Sequence, residues 1–513
     1  MTKRFTPETL AIISGLLLTL SFPPFDMFFM AWVAWIPLWA ALQQSGWQRG
    51  FKLGYITGFI FTLTSLNWIA NNSGTNIWVA SASMMGSVAY LSLWFGLFGL
   101  IIARTGNNLG TKGLWFAPAF WVSIEFMYSY HGFTLSFPWL SLAMTQNFAL
   151  PLQQIAEYGG IFAISFWVVL VNTILFQLEF GKLTVRTQQL VWGILGFIII
   201  GSFIFGAVRM KVIGQLSIST IRVGIIQTNL DPHQKWVRAK KTKHVEAILE
   251  QSRKTVMDSA RIIIWPESAI PAHLHYYPQF DRKIRKFVED NAVSILAGAL
   301  HHEEKNGEYQ YFNSAFYYSP GLPVVITSKQ GLVPFAERIP MVETFPILAN
   351  LNFGQANFQP GDSSIVYPMG SRDEVTDLGT LICYESADPY IFRTFIKNDA
   401  DLMSIITNDA WLGNSPGPYQ HLAAGRLRAI EHRISIARAA QTGVSAMILP
   451  SGRIAASIPL GEKGEIVYDA PIGLERSFYS KRGDIFALAV LLLASLGLMW
   501  VVLGRTFRLP KSH

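Results

Sequence analysis

Apolar runs long enough to cross a lipid bilayer recur through the first 210 residues, and they constrain the fold more than any other feature. A helix needs about 20 mainly apolar residues to span the hydrocarbon core. Hydrophobic residues make up 51% of the chain and charged residues only 14%, which is unusual for a soluble protein. We predict eight transmembrane helices, at residues 8–23, 26–43, 53–71, 80–103, 114–131, 160–179, 189–209 and 485–503.

The basic residues of the short loops predict how these helices are oriented. The connections at 24–25, 72–79 and 132–159 contain no lysine or arginine, whereas the others do. Because basic residues stay on the cytoplasmic side, we expect both termini in the cytoplasm and residues 211–481 on the opposite face. The first run lacks a small-residue cleavage site, so we expect it to remain in the protein. The basic residues of the cytoplasmic loops are Lys3, Arg4, Arg49, Lys52, Arg104, Lys112, Lys182 and Arg186.

The net charge of +8 and the single cysteine exclude several classes of function. Lysines and arginines do not form one stripe with interleaved aromatic residues, so we expect no nucleic-acid partner. One cysteine cannot form an internal disulfide, and no Cys/His cluster has the spacing of a metal site. We therefore expect no metal and no organic cofactor.

Residues 215–475 have a different pattern from the apolar runs on either side. Short β-branched runs alternate with stretches at 241–258 and 419–440 that we interpret as helices. This alternation predicts an α/β or layered α+β domain, and the segment is long enough to bury a full core. The predicted strands are 221–227, 261–265, 293–297, 378–382, 402–407 and 445–449. The predicted domains are 1–212 with seven helices, 213–480, and 481–513 with the eighth helix and the tail.

Three residues at the ends of apolar runs are candidates for catalysis. Glu267 follows the run IIIWP, Lys329 precedes GLVPFAER, and Cys383 ends the run TLI. Each has a commoner explanation when taken alone, because single glutamates and lysines are usually on the surface and a lone cysteine is usually a small buried residue.

Together, these residue types fit acyl transfer through a thioester. A thiol near its reference pKa needs a base to form the thiolate, and Glu267 is the candidate base. Lys329, with the backbone N–H after the cysteine, could stabilise the oxyanion of a tetrahedral intermediate. Cys383 is the candidate nucleophile.

The segments around these residues resemble the apolipoprotein N-acyltransferase family of the carbon–nitrogen hydrolase (nitrilase) superfamily. The resemblance rests on WPES, on the Lys329 segment with LVPFAE, and on ICYES, in that order. It extends to SFPP at 21–24, FPWL at 137–140 and NDAWLGNSPGPYQH at 408–421. It implies a nitrilase-like αββα sandwich outside the cytoplasm, inserted between transmembrane helices 7 and 8.

The resemblance also implies roles for individual residues. Glu267 would be the base, Lys329 the lysine that stabilises the intermediate, and Cys383 the nucleophile. The supporting residues would be the second carboxylate Glu337, the cysteine's neighbours Tyr384 and Glu385, and the pocket-lining Trp236. The sequence departs from the family pattern at five positions that bear on lipid contact and loop shape rather than on the reaction: Tyr128, Ala143, Met144, Ala336 and Leu412.

The activity that the resemblance implies is the last step of lipoprotein maturation. A fatty acyl group would pass from a phospholipid, phosphatidylethanolamine, to the α-amino group of the diacylglyceryl-modified N-terminal cysteine of an apolipoprotein. The protein would be a monomer of the bacterial inner membrane with a periplasmic catalytic domain. One alternative is a membrane-tethered amidase or nitrilase that hydrolyses a small C–N substrate. A second is a transporter or scaffold that retains a hydrolase-like domain.

Further residues have open interpretations. Residues 341–361 are apolar without clear periodicity, and we interpret them as a mobile lid in which Phe345 and Leu348 touch the acyl chain; a buried connector is the alternative. Trp139 lines a lipid entrance or belongs to an interfacial aromatic belt. Glu125, inside an apolar run, is functional or hydrogen-bonded for structure. Four histidines without ligand spacing are expected on the surface: His273, His275, His301 and His302.

Overall fold

The computed structural model describes residues 5–43, 45–130, 135–216, 219–305, 307–342, 344–350, 356–369 and 376–503. The chain divides into two compact units. The first comprises Met1–Ala70, Ser81–Lys211 and Lys481–His513. The second comprises Asn71–Ala80 and Val212–Ser480.

The helices that build the first unit come from both ends of the chain. They are α1 (Pro7–Ser21), α2 (Ile36–Leu42), α3 (Trp47–Ser65), α4 (Ile77–Leu109), α5 (Ala117–Ser129), α6 (Leu150–Gln153), α7 (Ala156–Phe180), α8 (Val185–Gln215) and α15 (Ile485–Leu503). Among the described residues, three helical stretches are long and apolar enough to cross a membrane: Ile77–Ser129, Ala156–Phe180 and Val185–Gln215. Shorter apolar helices occupy Pro7–Ser21, Phe28–Leu42 and Ile485–Val501.

The predicted span at 26–43 is not one regular α-helix. A 3₁₀ helix at Phe28–Trp32 precedes α2, which starts with a proline in its first turn. The backbone N–H of Trp35 donates to Asn172 Oδ1 at 3.0 Å, so a side chain of α7 bonds the backbone at the break. Pattern alone could not locate this break, because both pieces are equally apolar.

Glu125 has a structural explanation inside the first unit. Its carboxylate is buried and accepts hydrogen bonds from Trp121 Nε1 (3.0 Å), Ser141 Oγ (2.6 Å), Ser165 Oγ (2.7 Å) and the N–H of Leu142 (3.2 Å). These donors belong to α5, α7 and the connection between them. Of the two predicted interpretations, the hydrogen bonds support the structural one.

The second unit contains two mixed β-sheets. The strands are β1 (Ser219–Gln227), β2 (Ile262–Ile264), β3 (Ile270–His273), β4 (Ser294–Lys305), β5 (Glu308–Tyr318), β6 (Val325–Ser328), β7 (Tyr367–Met369), β8 (Thr376–Ile382), β9 (Leu402–Thr407), β10 (Ser435–Ala440), β11 (Ser445–Ile448), β12 (Ile454–Ile458) and β13 (Gly464–Ile472). The first sheet has the order β13-β1-β2-β4-β5-β6, with β3 paired to β4. The second has the order β12-β11-β10-β9-β8-β7.

Helices cover the outer face of each sheet. They are α10 (Lys241–Met257), α11 (Pro278–Asn291), α12 (Pro389–Lys397) and α13 (Gly417–His432). Two short helices, α9 (Pro232–Lys235) and α14 (Phe478–Arg482), complete the numbering. Alternate strand residues face opposite layers: Ile262 and Ile264 pack between the two sheets, whereas Ile263 packs with α10 and α11. On the other sheet, Leu381 packs with α12 and α13. The result is the four-layer αββα order.

The predicted helix over 419–440 is wrong in its last eight residues, 433–440. Helix α13 ends at His432, and Arg433 adopts the left-handed conformation with φ +51°. The following residues form β10, a fully buried strand between β9 and β11. Alanine and isoleucine suit a helix on pattern alone, so burial between two strands decided the conformation.

Candidate active site

Glu267 lies in the loop after β2 and is 6% exposed. Its Oε1 accepts a hydrogen bond from Asn313 Nδ2 at 2.6 Å, and its Oε2 accepts one from the N–H of Asn408 at 2.7 Å. A Cβ on Gly298 would lie 2.6 Å from the Cα of Glu267, so the close approach of this loop to β4 requires glycine. Burial raises the pKa of Glu267, while the charge of Lys329 opposes the rise. A carboxyl group in this state is suited to accept and return a proton.

Lys329 follows directly after β6 and is 1% exposed. Its Nζ lies 2.9 Å from Oε1 and 2.8 Å from Oε2 of Glu337. Burial acts to lower the pKa of Lys329, but Glu337, Cys383 and Glu267 outweigh it and raise the pKa above the ordinary value. Lys329 is therefore held in its charged form by the neighbouring carboxylates.

Cys383 follows β8 and is partly buried in a left-handed backbone conformation with φ +55°. Glu385 holds this turn. Its Oε2 accepts from the N–H of Ile382 at 2.7 Å, and its Oε1 accepts from the N–H groups of Gln330 (2.6 Å) and Gly331 (3.0 Å). One carboxylate thus joins the cysteine turn to the segment that carries Lys329.

The electrostatics of the thiol indicate why a base is needed. Burial raises the pKa of Cys383, Glu267 raises it further, and Lys329 acts in the opposite direction. The resting side chain is therefore a thiol rather than a thiolate. Since Glu267 and Lys329 both act on this thiol, the three predicted residues share one electrostatic environment.

Two residues that bond Glu267 were not predicted from the sequence. Asn313 on β5 donates from Nδ2 to Glu267 and also lies 3.3 Å from Oε1 of Glu337. Asn408 donates its backbone N–H to Glu267. A single asparagine in the apolar run YFNSAF was the available signal for Asn313, because a buried amide needs polar partners. A backbone donor such as Asn408 leaves no signal in the residue type.

Lys235 is a second buried lysine that the pattern did not reveal. It is 0% exposed, with Nζ 3.5 Å from the carbonyl oxygen of Glu267 and 3.4 Å from Gln441 Oε1. Burial lowers its pKa to about 7, and Glu267 acts in the opposite direction. Trp236, predicted to line the pocket, follows it at the end of α9 and is partly buried.

The remaining predicted contacts lie at separate places in the chain. Tyr384 is partly buried in the 3₁₀ helix that starts at Cys383. Phe345 is 49% exposed, and Leu348 is partly buried in the 3₁₀ helix Pro346–Asn350. Part of the predicted lid, at 343 and 351–355, lies outside the described residues. Trp139 is buried in the first unit, where its ring centroid is 5.4 Å from that of Trp68.

The expectation that four histidines are surface residues is wrong for His301, which is buried, and holds for His275, which is exposed. His275 is exposed, but its ring centroid lies 5.0 Å from that of His301 and 4.8 Å from that of His302. His301 is buried, and the ring of His273 lies 5.8 Å from that of His302. The pairing of β3 with β4 brings His273 and His275 close to His301 and His302. Spacing along the chain could not indicate this proximity.

One group of side chains in the described part of the chain approaches the arrangement of a metal site. Cys383 Sγ, a carboxylate oxygen of Asp409 and a ring nitrogen of His421 lie within 4.8 Å of one another. However, Asp409 Oδ2 is 2.7 Å from Arg438 Nη2, and its Oδ1 is 2.9 Å from His421 Nδ1. The guanidinium and the imidazole already use the carboxylate, so these residues fit a hydrogen-bonded network better than a cation site.

The arrangement supports proton transfer and charge stabilisation at one sulfur. The carboxylate of Glu267 can remove and return a proton, the thiol can form a covalent bond, and Lys329 can stabilise an oxyanion. Glu337 keeps Lys329 charged, and Glu385 fixes the turn at Cys383. These groups suit an acyl-transfer reaction.

Comparisons with known proteins cover nearly the whole chain. Residues 14–174 match the family described as apolipoprotein N-acyltransferase N-terminal domain, and residues 222–478 match the carbon–nitrogen hydrolase family. An apolipoprotein N-acyltransferase of Geobacter metallireducens is 31% identical over 98% of this chain and 96% of its own length. One of Chlorobaculum tepidum is 28% identical over 93% of each chain.

Among solved structures, an amidase from Nesterenkonia sp. is similar to part of this chain. It is 16% identical, with a TM-score of 0.37, and the match covers 53% of this chain and 98% of the amidase.

Proposed function

Because the chain belongs to the apolipoprotein N-acyltransferase family, we propose that it N-acylates apolipoproteins through a thioester on Cys383. The acyl donor is a phospholipid, with phosphatidylethanolamine as the proposed headgroup. The acceptor is the α-amino group of the diacylglyceryl-modified N-terminal cysteine. Two sets of hydrogen bonds support the assignment of the site: Glu385 bonds the cysteine turn to the Lys329 segment, and Asn313 bonds both Glu267 and Glu337.

In the first half-reaction, Glu267 takes the proton of the Cys383 thiol. The sulfur attacks the ester carbonyl of the phospholipid and forms a tetrahedral oxyanion, which Lys329 and the N–H of Tyr384 stabilise. When the intermediate collapses, the C–O bond breaks and the lysophospholipid oxygen receives the proton from Glu267. A thioester remains on Cys383.

In the second half-reaction, the neutral amine of the apolipoprotein attacks the thioester carbonyl. Glu267 takes a proton from the nitrogen and returns it to the sulfur as the C–S bond breaks. The products are the amide and the original thiol, so one carboxyl group serves both halves. Both substrates carry fatty acyl chains that lie in a bilayer, and the same chain contains several apolar helices.

We propose the membrane topology from the distribution of basic residues in the loops. Eight spans place both termini in the cytoplasm and the catalytic domain in the periplasm, between helices 7 and 8. The proposed domain limits are 1–212, 213–480 and 481–513, and the proposed oligomeric state is a monomer.

The experiment that tests the proposal is mass spectrometry of the purified protein after incubation with phosphatidylethanolamine. We expect one acyl group on Cys383 and release of lysophosphatidylethanolamine. Subsequent addition of a diacylglyceryl peptide with a free N-terminus should remove the acyl group and yield the N-acyl peptide. Release of ammonia from small amides, without an acyl adduct from lipid, would instead indicate an amidase.

The rate of acylation should depend on the ionisation of Glu267. The base acts only when ionised, so acylation should fall as pH decreases through the pKa of Glu267, which burial places above the ordinary value. Asn313→Ala removes a hydrogen bond to the ionised form and should move this acid limb to higher pH by about 1 unit. The measurement is the single-turnover acylation rate against pH.

A matched control for this pH measurement is Asn291→Ala, since the side-chain amide of that asparagine donates to the backbone of its own helix at Phe287 O. The control should leave the acid limb in place. An unchanged limb in Asn313→Ala would contradict the assignment of Glu267 as the base.

The lid should affect lipid substrates selectively. Phe345→Glu with Leu348→Glu places two charges in an apolar surface segment, so turnover of diacyl phospholipid should slow about tenfold or more while short soluble esters react normally. Met257→Glu, at an exposed apolar position at the end of α10, is the control. Equal losses on both substrates would remove the lid interpretation.

A further inference from the structure

A buried network lies directly behind the nucleophile. His421, on α13, is 1% exposed, and its Nδ1 is 2.9 Å from Asp409 Oδ1. Its Nε2 is 3.0 Å from the carbonyl oxygen of Cys383 and 2.7 Å from Ser386 Oγ. Asp409 and a backbone carbonyl oxygen can only accept, so each of these two bonds requires an N–H on the ring nitrogen that makes it, and a ring that makes both bonds is protonated.

Asp409 is fixed in turn by neighbouring strands. Its Oδ2 accepts from Arg438 Nη2 at 2.7 Å, and its Oδ1 accepts from Thr407 Oγ1 at 2.9 Å. Burial would raise the pKa of Asp409, but His421 and Arg438 outweigh it and lower the pKa to about 2. Burial and Arg438 lower the pKa of His421, whereas the charged carboxylate of Asp409 acts in the opposite direction and favours the protonated imidazole that both bonds require.

The position of the bonded carbonyl matters because a peptide group is planar. The carbonyl oxygen of Cys383 and the N–H of Tyr384 belong to the same peptide and point in opposite directions. A hydrogen bond that holds the oxygen on the His421 side consequently fixes the direction of the N–H. That N–H is the backbone donor that the proposed reaction uses at the oxyanion.

We propose that His421, oriented by Asp409, is a positioning residue that aims the N–H of Tyr384 at the oxyanion by holding the carbonyl oxygen of Cys383. The left-handed conformation of Cys383 also requires a hydrogen bond of this kind, because residues with a side chain rarely adopt that conformation without support from their surroundings. The inference rests on the proposed thioester route, and it adds a residue that does not itself touch the substrate.

The test compares two reactions of the same sulfur. Cys383 is the single cysteine of the chain, so iodoacetamide labelling reports on it alone. Alkylation by iodoacetamide forms no oxyanion, whereas acylation by a short p-nitrophenyl ester does. In His421→Ala we expect acylation to fall roughly 100-fold, the usual effect of losing one oxyanion donor, and at least tenfold more than alkylation.

Two further variants separate positioning from general damage. His421→Gln keeps an amide N–H near the place of Nε2 and should recover most of the acylation rate. His432→Gln is the matched control, since His432 is also buried on α13 but bonds Ser480 and stacks on Phe392. It should leave the ratio of acylation to alkylation unchanged.

The possible results have distinct meanings. Equal losses of acylation and alkylation in His421→Ala, or no loss of either, would overturn the positioning role. Failure of the unmodified protein to form an acyl-enzyme would overturn the thioester route itself. A wild-type acyl-enzyme with the expected selective loss in His421→Ala supports both.

Discussion

Cys383→Ser should abolish the acyl-enzyme and lower the rate of N-acylation by a factor on the order of 10⁴ or more. A serine hydroxyl is far less acidic than a thiol, so the carboxylate of Glu267 cannot produce an equivalent nucleophile. The measurement is intact-protein mass spectrometry after incubation with phospholipid, together with the rate at which a diacylglyceryl peptide is acylated.

The control for this prediction is the thermal unfolding of Cys383→Ser and of the unmodified protein, measured in one detergent. Cysteine and serine have similar shapes and Cys383 is partly buried, so the unfolding temperature should change by only a few degrees. An acyl adduct that persists in the variant at full stoichiometry would show that another side chain is the nucleophile.

Lys329→Met should reduce both activity and stability. Loss of the cation that faces the oxyanion should slow acylation by about 10² to 10³. Methionine also leaves the carboxylate of Glu337 without its partner at 2.8 Å, in a site where that side chain is only 13% exposed. Removing one member of a buried ion pair typically costs about 3–5 kcal/mol, so the unfolding temperature should fall clearly.

The double variant Lys329→Met with Glu337→Gln separates these two effects. Glutamine removes the unpaired charge and keeps polar atoms for Asn313 and the N–H of Val333, which bond Glu337 in the native chain. Stability should largely return while acylation stays slow. Recovery of activity in the double variant would show that Lys329 matters only for folding.

Glu267, Lys329 and Cys383 could be predicted as candidates because each lies next to an apolar run that is recognisable in the sequence. WPES, the Lys329 segment and ICYES each follow or flank an apolar run, and the structure places all three beside β2, β6 and β8. The partners that tune them could not be predicted in this way. Asn313 and Asn408 bond Glu267 from 46 and 141 positions away along the chain, and His421 bonds Cys383 from 38 positions away. No local spacing indicates such contacts.

The burial of the histidines and the conformation of the segment after His432 also could not be predicted from the local sequence. His301 looks like a surface residue in sequence but is buried beside His275 because β3 pairs with β4. Residues 435–440 suit a helix but form a central strand. In each case the neighbours in space, rather than the local pattern, decided the conformation or the burial.

Apolar periodicity and composition by themselves determined that this chain combines membrane-length apolar helices with an α/β unit, because burial of apolar surface acts on residue types. Motif order determined which glutamate, lysine and cysteine to consider. Only the tertiary structure decided that Glu385 bonds the cysteine turn to the lysine segment and that His421 bonds the Cys383 carbonyl. Hydrogen bonds act only near 3 Å, and a linear sequence does not state which distant residues come that close.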